Sequence, residues 1–322
     1  MACAPQERRG KECDMSTKLK RIIAGILTVT AVFAAVLPAV PVLGASQKDK
    51  KVISLGSGLT GEEKKTVLGI LGVSEADLSS YTVITVTEED ERRYLGNYLS
   101  EEMFAGRSLS SSRIEPAAAG SGISVKTHNI TWCTEAMYQN ALATAGVKDA
   151  DIVIAGPYEV SGITALTGVI RAYEEQEGII IPAESIDTAT DEIVTTGQIG
   201  ESIGNVKKAA ELIGAVKQII AAQSITGEED IRDVIRKVAS EMGITLSDED
   251  LAKIVELMKK LSALDIDVEE LKRQAAGLYD ELKRQGIDLS EYGIDASDMD
   301  GAAGFLARLW ASFRAFLHRL GL

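Results

Sequence analysis

The sequence YTVITV at residues 81–86 begins the stretch that decides the fold, and DIVIA at residues 151–155 closes it. Both runs are rich in β-branched residues and have the length of a single strand, so each predicts a β-strand. Between them we predict two strands and two helices, over residues 89–99, 107–114, 123–130 and 135–145. The resulting order, β-α-β-β-α-β, predicts the split βαβ arrangement of a ferredoxin-like sandwich.

The residues before this core predict one more strand and helix. Val52–Leu55 reads as the strand, and Thr60–Leu71 as the helix, opened by a capping box of Thr60 and Glu63. A further helix is expected over residues 160–174, after the core.

After Gly178 the strand-like alternation stops and amphipathic helices follow. Two apolar faces with helical spacing are formed by Ile231, Val234, Ile235, Val238 and Met242, and by Leu251, Ile254, Val255, Met258 and Leu261. Their starts are expected at Thr226–Glu229 and Ser247–Asp250, and another helix at residues 268–284. The predicted class is therefore α+β: a ferredoxin-like βαββαβ core, extended by an N-terminal βα unit and followed by a small all-α helical bundle.

Four segments follow along the chain. We predict an upstream extension plus signal peptide over residues 1–45, an α/β sandwich domain over 51–177, a helical bundle over 185–296 and a basic amphipathic C-terminal helix over 300–322.

The first segment has the charge order of an export signal. Lys18, Lys20 and Arg21 precede an uncharged run from Ile22 to Leu37, which predicts an n-region followed by an h-region. We expect the natural start at Met15, cleavage after Gly44 or Ala45, and an extracellular or cell-envelope location. An uncleaved anchor stays open as the alternative, because the apolar stretch approaches the roughly 20 residues that a spanning helix needs.

Composition excludes some classes of function. With 322 residues and a net charge of −14, the chain is too acidic for a nucleic-acid partner, which requires a basic surface. Cys3 and Cys13 precede the export signal, so the exported chain would keep Cys133 alone and form no internal disulfide. His128 and His318, the two histidines, show no metal-ligand spacing, and we predict no metal site.

A glycine-rich turn with the spacing G-x-G-x-x-G is formed by Gly56, Gly58 and Gly61. In a dinucleotide-binding fold such glycines admit a pyrophosphate, and Glu88 would serve as the ribose-binding acid. The cap formed by Thr60 and Glu63 explains the turn without a nucleotide, and an exported chain meets few dinucleotides. We therefore predict no cofactor.

His128 and Cys133 are weak catalytic candidates. A cysteine nucleophile needs a base within hydrogen-bond reach, and Asn129 could orient the imidazole. The other interpretation is a histidine that braces a turn and a cysteine that packs as a small apolar residue. We expect a non-enzymatic protein. The alternative is an extracytoplasmic hydrolase that uses His128, with or without Cys133 as its nucleophile.

The C-terminal segment from Gly304 to Leu320 combines aromatic and basic residues at helical spacing. Its expected contact residues are Phe305, Leu309, Trp310, Phe313 and Phe316, with Arg308, Arg314 and Arg319. This composition is typical of a helix that lies in a membrane interface or docks on a partner protein, here an envelope protein. The last helix of the bundle remains the alternative. The oligomeric state is not predicted.

A series of short segments between Val52 and Ile266 resembles the YpuA-like exported proteins of Gram-positive bacteria, a family known only as a domain of unknown function, DUF-1002. The matching stretches are residues 94–96, 110–112, 125–130, 137–142, 144–150, 160–162, 165–168, 172–174, 192–196 and 244–247. The resemblance implies export, an envelope or extracellular location, and no established activity.

The family pattern lacks Gly58, Gly61 and a cysteine at the position of Cys133, so neither the glycine turn nor a thiol would be a shared site. A shared surface site would lie among polar residues at strand ends and helix starts, namely Thr127, His128, Asn129, Ser161 and Thr164. Caps and turn braces are the other interpretation of these residues.

Overall fold

A five-stranded sheet lies at the centre of the computed structural model, which describes residues 50–99, 101, 106–267 and 271. Its strands are β1 (Val52–Gly56), β2 (Thr82–Val86), β3 (Ser111–Pro116), β4 (Ile123–Ile130) and β5 (Ala150–Val160). They are arranged in the order β2-β1-β3-β5-β4. β1 pairs in parallel with β2, and β4 with β5, whereas β3 runs antiparallel to β1 and β5. Four of these strands therefore point in the same direction.

Eight α-helices are described beside the sheet: α1 (Gly61–Ile70), α2 (Glu88–Leu95), α3 (Glu135–Thr144), α4 (Ala165–Glu177), α5 (Ala183–Ser202), α6 (Val206–Gln223), α7 (Glu228–Glu241) and α8 (Asp248–Ser262). The two apolar faces predicted for the later helices are buried in α7 and α8. Ser247 caps α8 as expected, but α7 begins after Gly227 rather than at Thr226. The helix predicted at 268–284 and the segments 1–45 and 300–322 lie outside the described residues, apart from Leu271.

The α+β class is confirmed, but the ferredoxin-like arrangement is not. In that arrangement two strands joined by a helix enclose an antiparallel strand between them. Here β1 and β2 are direct parallel neighbours, as are β4 and β5. β5 also lies between β3 and β4, whereas a ferredoxin-like sheet would pair those two strands directly.

The side chains explain this order. β4 alternates buried and exposed residues, which suits an edge strand with one face in water, whereas β5 is buried on both faces around Ile154 and Ala155.

Helices cover the two faces of the sheet unequally. Val52, Ile114 and Ile152 lie in the apolar cluster that includes buried residues of α3 and α4, while Ile53 and Leu55 cluster with buried residues of α1. The first cluster also contains residues of the α4–α5 loop, α5 and α6. A division of the chain between residues 177 and 185 stays a prediction.

Side chains from the helices protect both edges of the sheet. At β4, the amide of Gln139 donates to the carbonyl of Ile123 (3.1 Å), and the carboxylate of Glu135 accepts from the N–H of Thr127 (3.1 Å). At β2, Arg171 donates to the carbonyl of Thr85 (3.0 Å). These bonds occupy edge groups that would otherwise pair with another chain.

A buried ion pair joins α3, α5 and α6. The ammonium of Lys217 donates to Oε1 of Glu192 (2.8 Å), the carbonyl of Asn140 (2.7 Å) and the hydroxyl of Thr144 (3.1 Å). The hydroxyl of Thr144 in turn donates to Glu192. Burial lowers the pKa of Lys217, and the charge of Glu192 opposes that shift. All three ammonium hydrogens thus have acceptors, although both side chains are at most 2% exposed.

The Lys217→Met substitution should lower the free energy of unfolding by about 3–5 kcal/mol, because it leaves the Glu192 carboxylate buried without its counter-charge. The double variant Lys217→Met/Glu192→Leu should lose much less, since it removes both charges. Urea denaturation measures both values. Lys253→Met is the control, because its i,i+4 pair with Glu249 is exposed and should change stability by less than about 1 kcal/mol. Equal losses for the two lysine variants would contradict the assigned role of the buried pair.

Candidate functional site

The carboxyl ends of four strands lie on the same side of the sheet, across the strand direction, and this side is called the carboxyl edge. β1, β2, β4 and β5 end there at Gly56, Val86, Ile130 and Val160. Ligands of open α/β sheets commonly bind at this edge. The sequence-predicted candidates at residues 127–129, 161 and 164 and the glycine turn all lie at or directly after these strand ends, so the fold brings them to the same side of the sheet.

The glycine turn uses its backbone donors within the protein. The N–H of Ser57 donates to the carbonyl of Val86 (2.9 Å), and the N–H of Gly58 to that of Ser108 (2.9 Å). The N–H of Thr60 donates to the carboxylate of Glu63 (2.7 Å), completing the capping box that the sequence predicted. A phosphate would have to displace these bonds, so the turn does not offer a free anion site.

Arg107 closes the same turn from outside. It forms an ion pair with Glu63, and its Nε donates to the carbonyl of Gly58 (2.9 Å). Hydrogen bonds from Arg107 and from the backbone of Thr60 lower the pKa of Glu63 to about 2. A permanent carboxylate of the protein therefore occupies the N-terminus of α1, which is where an anionic ligand would bind. Glu88, considered as a ribose-binding acid, is the exposed first residue of α2.

Glu91 is a buried carboxyl group at this edge that the sequence analysis missed. It is 4% exposed, and its Oε1 accepts a hydrogen bond from the hydroxyl of Ser108 (2.6 Å). Burial raises the pKa of Glu91, while hydrogen bonds from Ser108 and Thr164 oppose the shift. The available signal was its helical spacing to Leu95, which places Glu91 on the buried side of α2.

Thr164 connects the start of α4 to this group. It stands at the N-cap of α4 without capping it, and its hydroxyl lies 3.5 Å from that of Ser110 and within reach of Glu91. Among the predicted polar residues, Thr164 is thus the one held in a buried polar cluster, formed by Glu91, Ser108, Ser110 and Thr164.

The other predicted residues of β4 have separate roles in the structure. His128 is exposed on the solvent face of the strand. Asn129 adopts a positive φ of 58° at the irregularity between His128 and Ile130, and its amide donates to the carbonyl of Gly156 (3.0 Å). Asn129 therefore braces a strand irregularity, as a turn residue does.

Cys133 lies in the core, away from the solvent face that carries His128. It is 3% exposed, and burial raises the pKa of its thiol to about 12. Its backbone N–H donates to the carbonyl of Ser161 (3.2 Å), and the hydroxyl of the neighbouring Tyr138 donates to the carbonyl of Gly162. The geometry does not bring a thiolate and an imidazole together.

Within the described residues, no three His, Cys, Asp or Glu side chains are grouped as a metal site would require. Across the same residues, every helix is too short or too polar to cross a membrane. The predicted contact residues of the C-terminal helix, from Phe305 to Arg319, lie outside the described part of the chain.

The Gly56→Ala substitution should destabilise the fold by about 1–3 kcal/mol, because a Cβ there would stand 2.3 Å from the carbonyl oxygen of Ser108. Gly61→Ala is the matched control in the same turn, since no heavy atom lies within 4 Å of its added Cβ. Thermal denaturation of both variants compares the two positions. A similar melting temperature for both would show that packing against Ser108 does not explain Gly56.

Cys133 should resist thiol reagents at pH 6–8 in the folded protein and react at once after unfolding, because its pKa of about 12 keeps it protonated and its side chain is buried. Mass spectrometry of protein that begins at Ser46 reads out this one thiol. Rapid labelling at mildly acidic pH without unfolding would instead reveal an activated cysteine.

Comparison with known proteins identifies the relatives of this chain. Residues 55–278 match the family described as protein of unknown function (DUF1002). The uncharacterized protein YpuA of Bacillus subtilis (strain 168) is 38% identical over 250 residues, which cover 77% of this chain and 84% of that protein. No solved structure matches the chain. The resemblance drawn from the short segments is confirmed: the chain belongs to the DUF1002 family.

Proposed function

We propose that this protein works outside the cytoplasm of a Gram-positive bacterium as a non-enzymatic binding or structural module of the cell envelope. Its C-terminal segment, residues 304–322, would contact a membrane surface or an envelope protein. The charge order of residues 15–45 supports export, and the aromatic and basic pattern of residues 304–320 supports the contact.

The proposal that the function is non-enzymatic rests on the state of the carboxyl edge of the sheet. The amides of the glycine turn, the carboxylate of Glu63 and the carboxyl group of Glu91 all have partners within the protein. Polar groups that are satisfied internally brace the fold and have little left to offer a substrate. This favours a structural role for the edge and a function located on the outer surface.

The hydrolase alternative uses His128, and one form of it adds Cys133 as a thiolate nucleophile with His128 as its base. The buried thiol with its raised pKa and the exposed position of His128 weigh against that pairing. The thiol-labelling experiment above tests this pairing, because failure of Cys133 to label would remove the nucleophile.

Protein that begins at Ser46 provides a direct test of the proposed membrane contact. It should bind vesicles of phosphatidylglycerol and phosphatidylcholine in sedimentation assays, and removal of residues 304–322 should abolish binding. The reason is that aromatic side chains enter the interface while the arginines meet anionic headgroups.

A charge variant is the control, with Arg308, Arg314 and Arg319 all changed to Gln. It should lose binding in proportion to the phosphatidylglycerol content while its aromatic residues stay intact. Equal binding with and without residues 304–322, or no binding by either, would rule out the membrane contact.

A further inference from the structure

Two adjacent isoleucines protrude from the loop between α4 and α5. The side chain of Ile180 is 89% exposed and that of Ile179 is 47% exposed. The loop itself is held in place, because Gly178 ends α4 with a positive φ of 67°, and Ile181 is buried with its N–H bonded to Glu174 (2.9 Å). The exposed pair is therefore presented by an anchored loop.

Acidic residues surround this pair. Glu174, Glu175 and Glu177 precede it at the end of α4, and Glu184 follows it in the first turn of α5. Lys50 forms an ion pair with Glu175, which leaves Glu174, Glu177 and Glu184 as the negative charge of the rim. An apolar tip within a negative rim repels anionic surfaces and suits an apolar partner that carries positive charge.

The C-terminal segment of the same chain has this chemistry. Residues 304–320 carry an apolar, aromatic set together with Arg308, Arg314, His318 and Arg319. On a chain with a net charge of −14, this concentration of arginine in one short segment is a specific complement to the rim of glutamates.

The last described residues of the chain are joined to α4 through Lys148, in the loop between α3 and β5. Asp267 pairs with the ammonium of Lys148 (2.6 Å), and the N–H of Lys148 donates to the hydroxyl of Tyr173, on α4 (3.2 Å). Leu271 is buried in the same apolar cluster as Ile181. The 33 residues from Leu271 to Gly304 could span roughly 100 Å when extended, enough to return to the loop.

We propose that the segment Gly304–Leu320 docks on Ile179 and Ile180 when no membrane is present, with its arginines over the glutamate rim. A membrane then competes with the loop for the same aromatic face, since one face cannot occupy both sites. The docking is supported by the loop and the charges alone, whereas competition with the membrane rests on the function proposed above. The docked state would keep the aromatic residues out of water until a membrane is reached.

Trp310 reports on the docked state. Protein that begins at Ser46, a start expected from cleavage after Ala45, carries this probe. The signal of Trp310 is obtained by subtracting the spectrum of the Trp310→Phe variant, which leaves Trp132. We expect blue-shifted, acrylamide-protected emission from Trp310 without lipid, and a red shift with loss of protection in the double variant Ile179→Ser/Ile180→Ser.

Val83→Ser is the control, because Val83 is an apolar side chain on β2 whose exposure (42%) is close to that of Ile179 (47%). Circular dichroism checks that each variant is folded, which is expected because the altered side chains are exposed. The proposal is overturned if Trp310 is already exposed in the parent protein, or if the isoleucine variant shifts it no more than Val83→Ser. Protection that disappears on dilution overturns it as well, by assigning the docked segment to a second copy.

Vesicle binding distinguishes the docking on the loop from the membrane contact proposed above. Vesicles of equal parts phosphatidylglycerol and phosphatidylcholine should bind the isoleucine variant more tightly than the parent, because its C-terminal segment is already released. Tail-dependent binding that is equal in the two proteins overturns the competition and leaves the membrane contact standing. Release of Trp310 without any vesicle binding supports the docking and overturns the membrane contact.

Discussion

The buried pair of Lys217 and Glu192 is the interaction on which the helical half of the described structure depends. Burying two charges is costly, and the cost is offset here because every ammonium hydrogen has an acceptor. Since those acceptors come from α3 and α5, the pair fixes α6 against both helices. α3 in turn packs on the sheet, so this polar contact links α6, through α3, to the strands.

The carboxyl edge of the sheet follows the same rule of internal satisfaction. Glu63 forms an ion pair with Arg107, and Glu91 accepts hydrogen bonds from the hydroxyls of Ser108 and Thr164. Gly56 is needed there because the backbone of Ser108 passes too close for any side chain. An edge that binds ligands in many α/β proteins is thus occupied by the protein's own groups.

The docking and the membrane contact proposed above would give the aromatic and basic residues of the C-terminal segment two alternative sites. The exposed isoleucines and the glutamate rim would attract an aromatic segment that carries arginines, and so would an anionic membrane. The two sites differ in their environment, since only the membrane can bury the aromatic residues within hydrocarbon.

The sequence by itself determined the α+β class, most helix and strand positions, the cap of α1 by Thr60 and Glu63, and the family, because these depend on local periodicity and on short residue patterns. Only the tertiary structure decided that β5 lies between β3 and β4, that Cys133 is buried while His128 faces water, and that Glu91 is drawn into the interior. Strand order and burial depend on which distant faces pack together. Ile154 and Ala155, for example, become buried only when helices pack on both faces of the sheet.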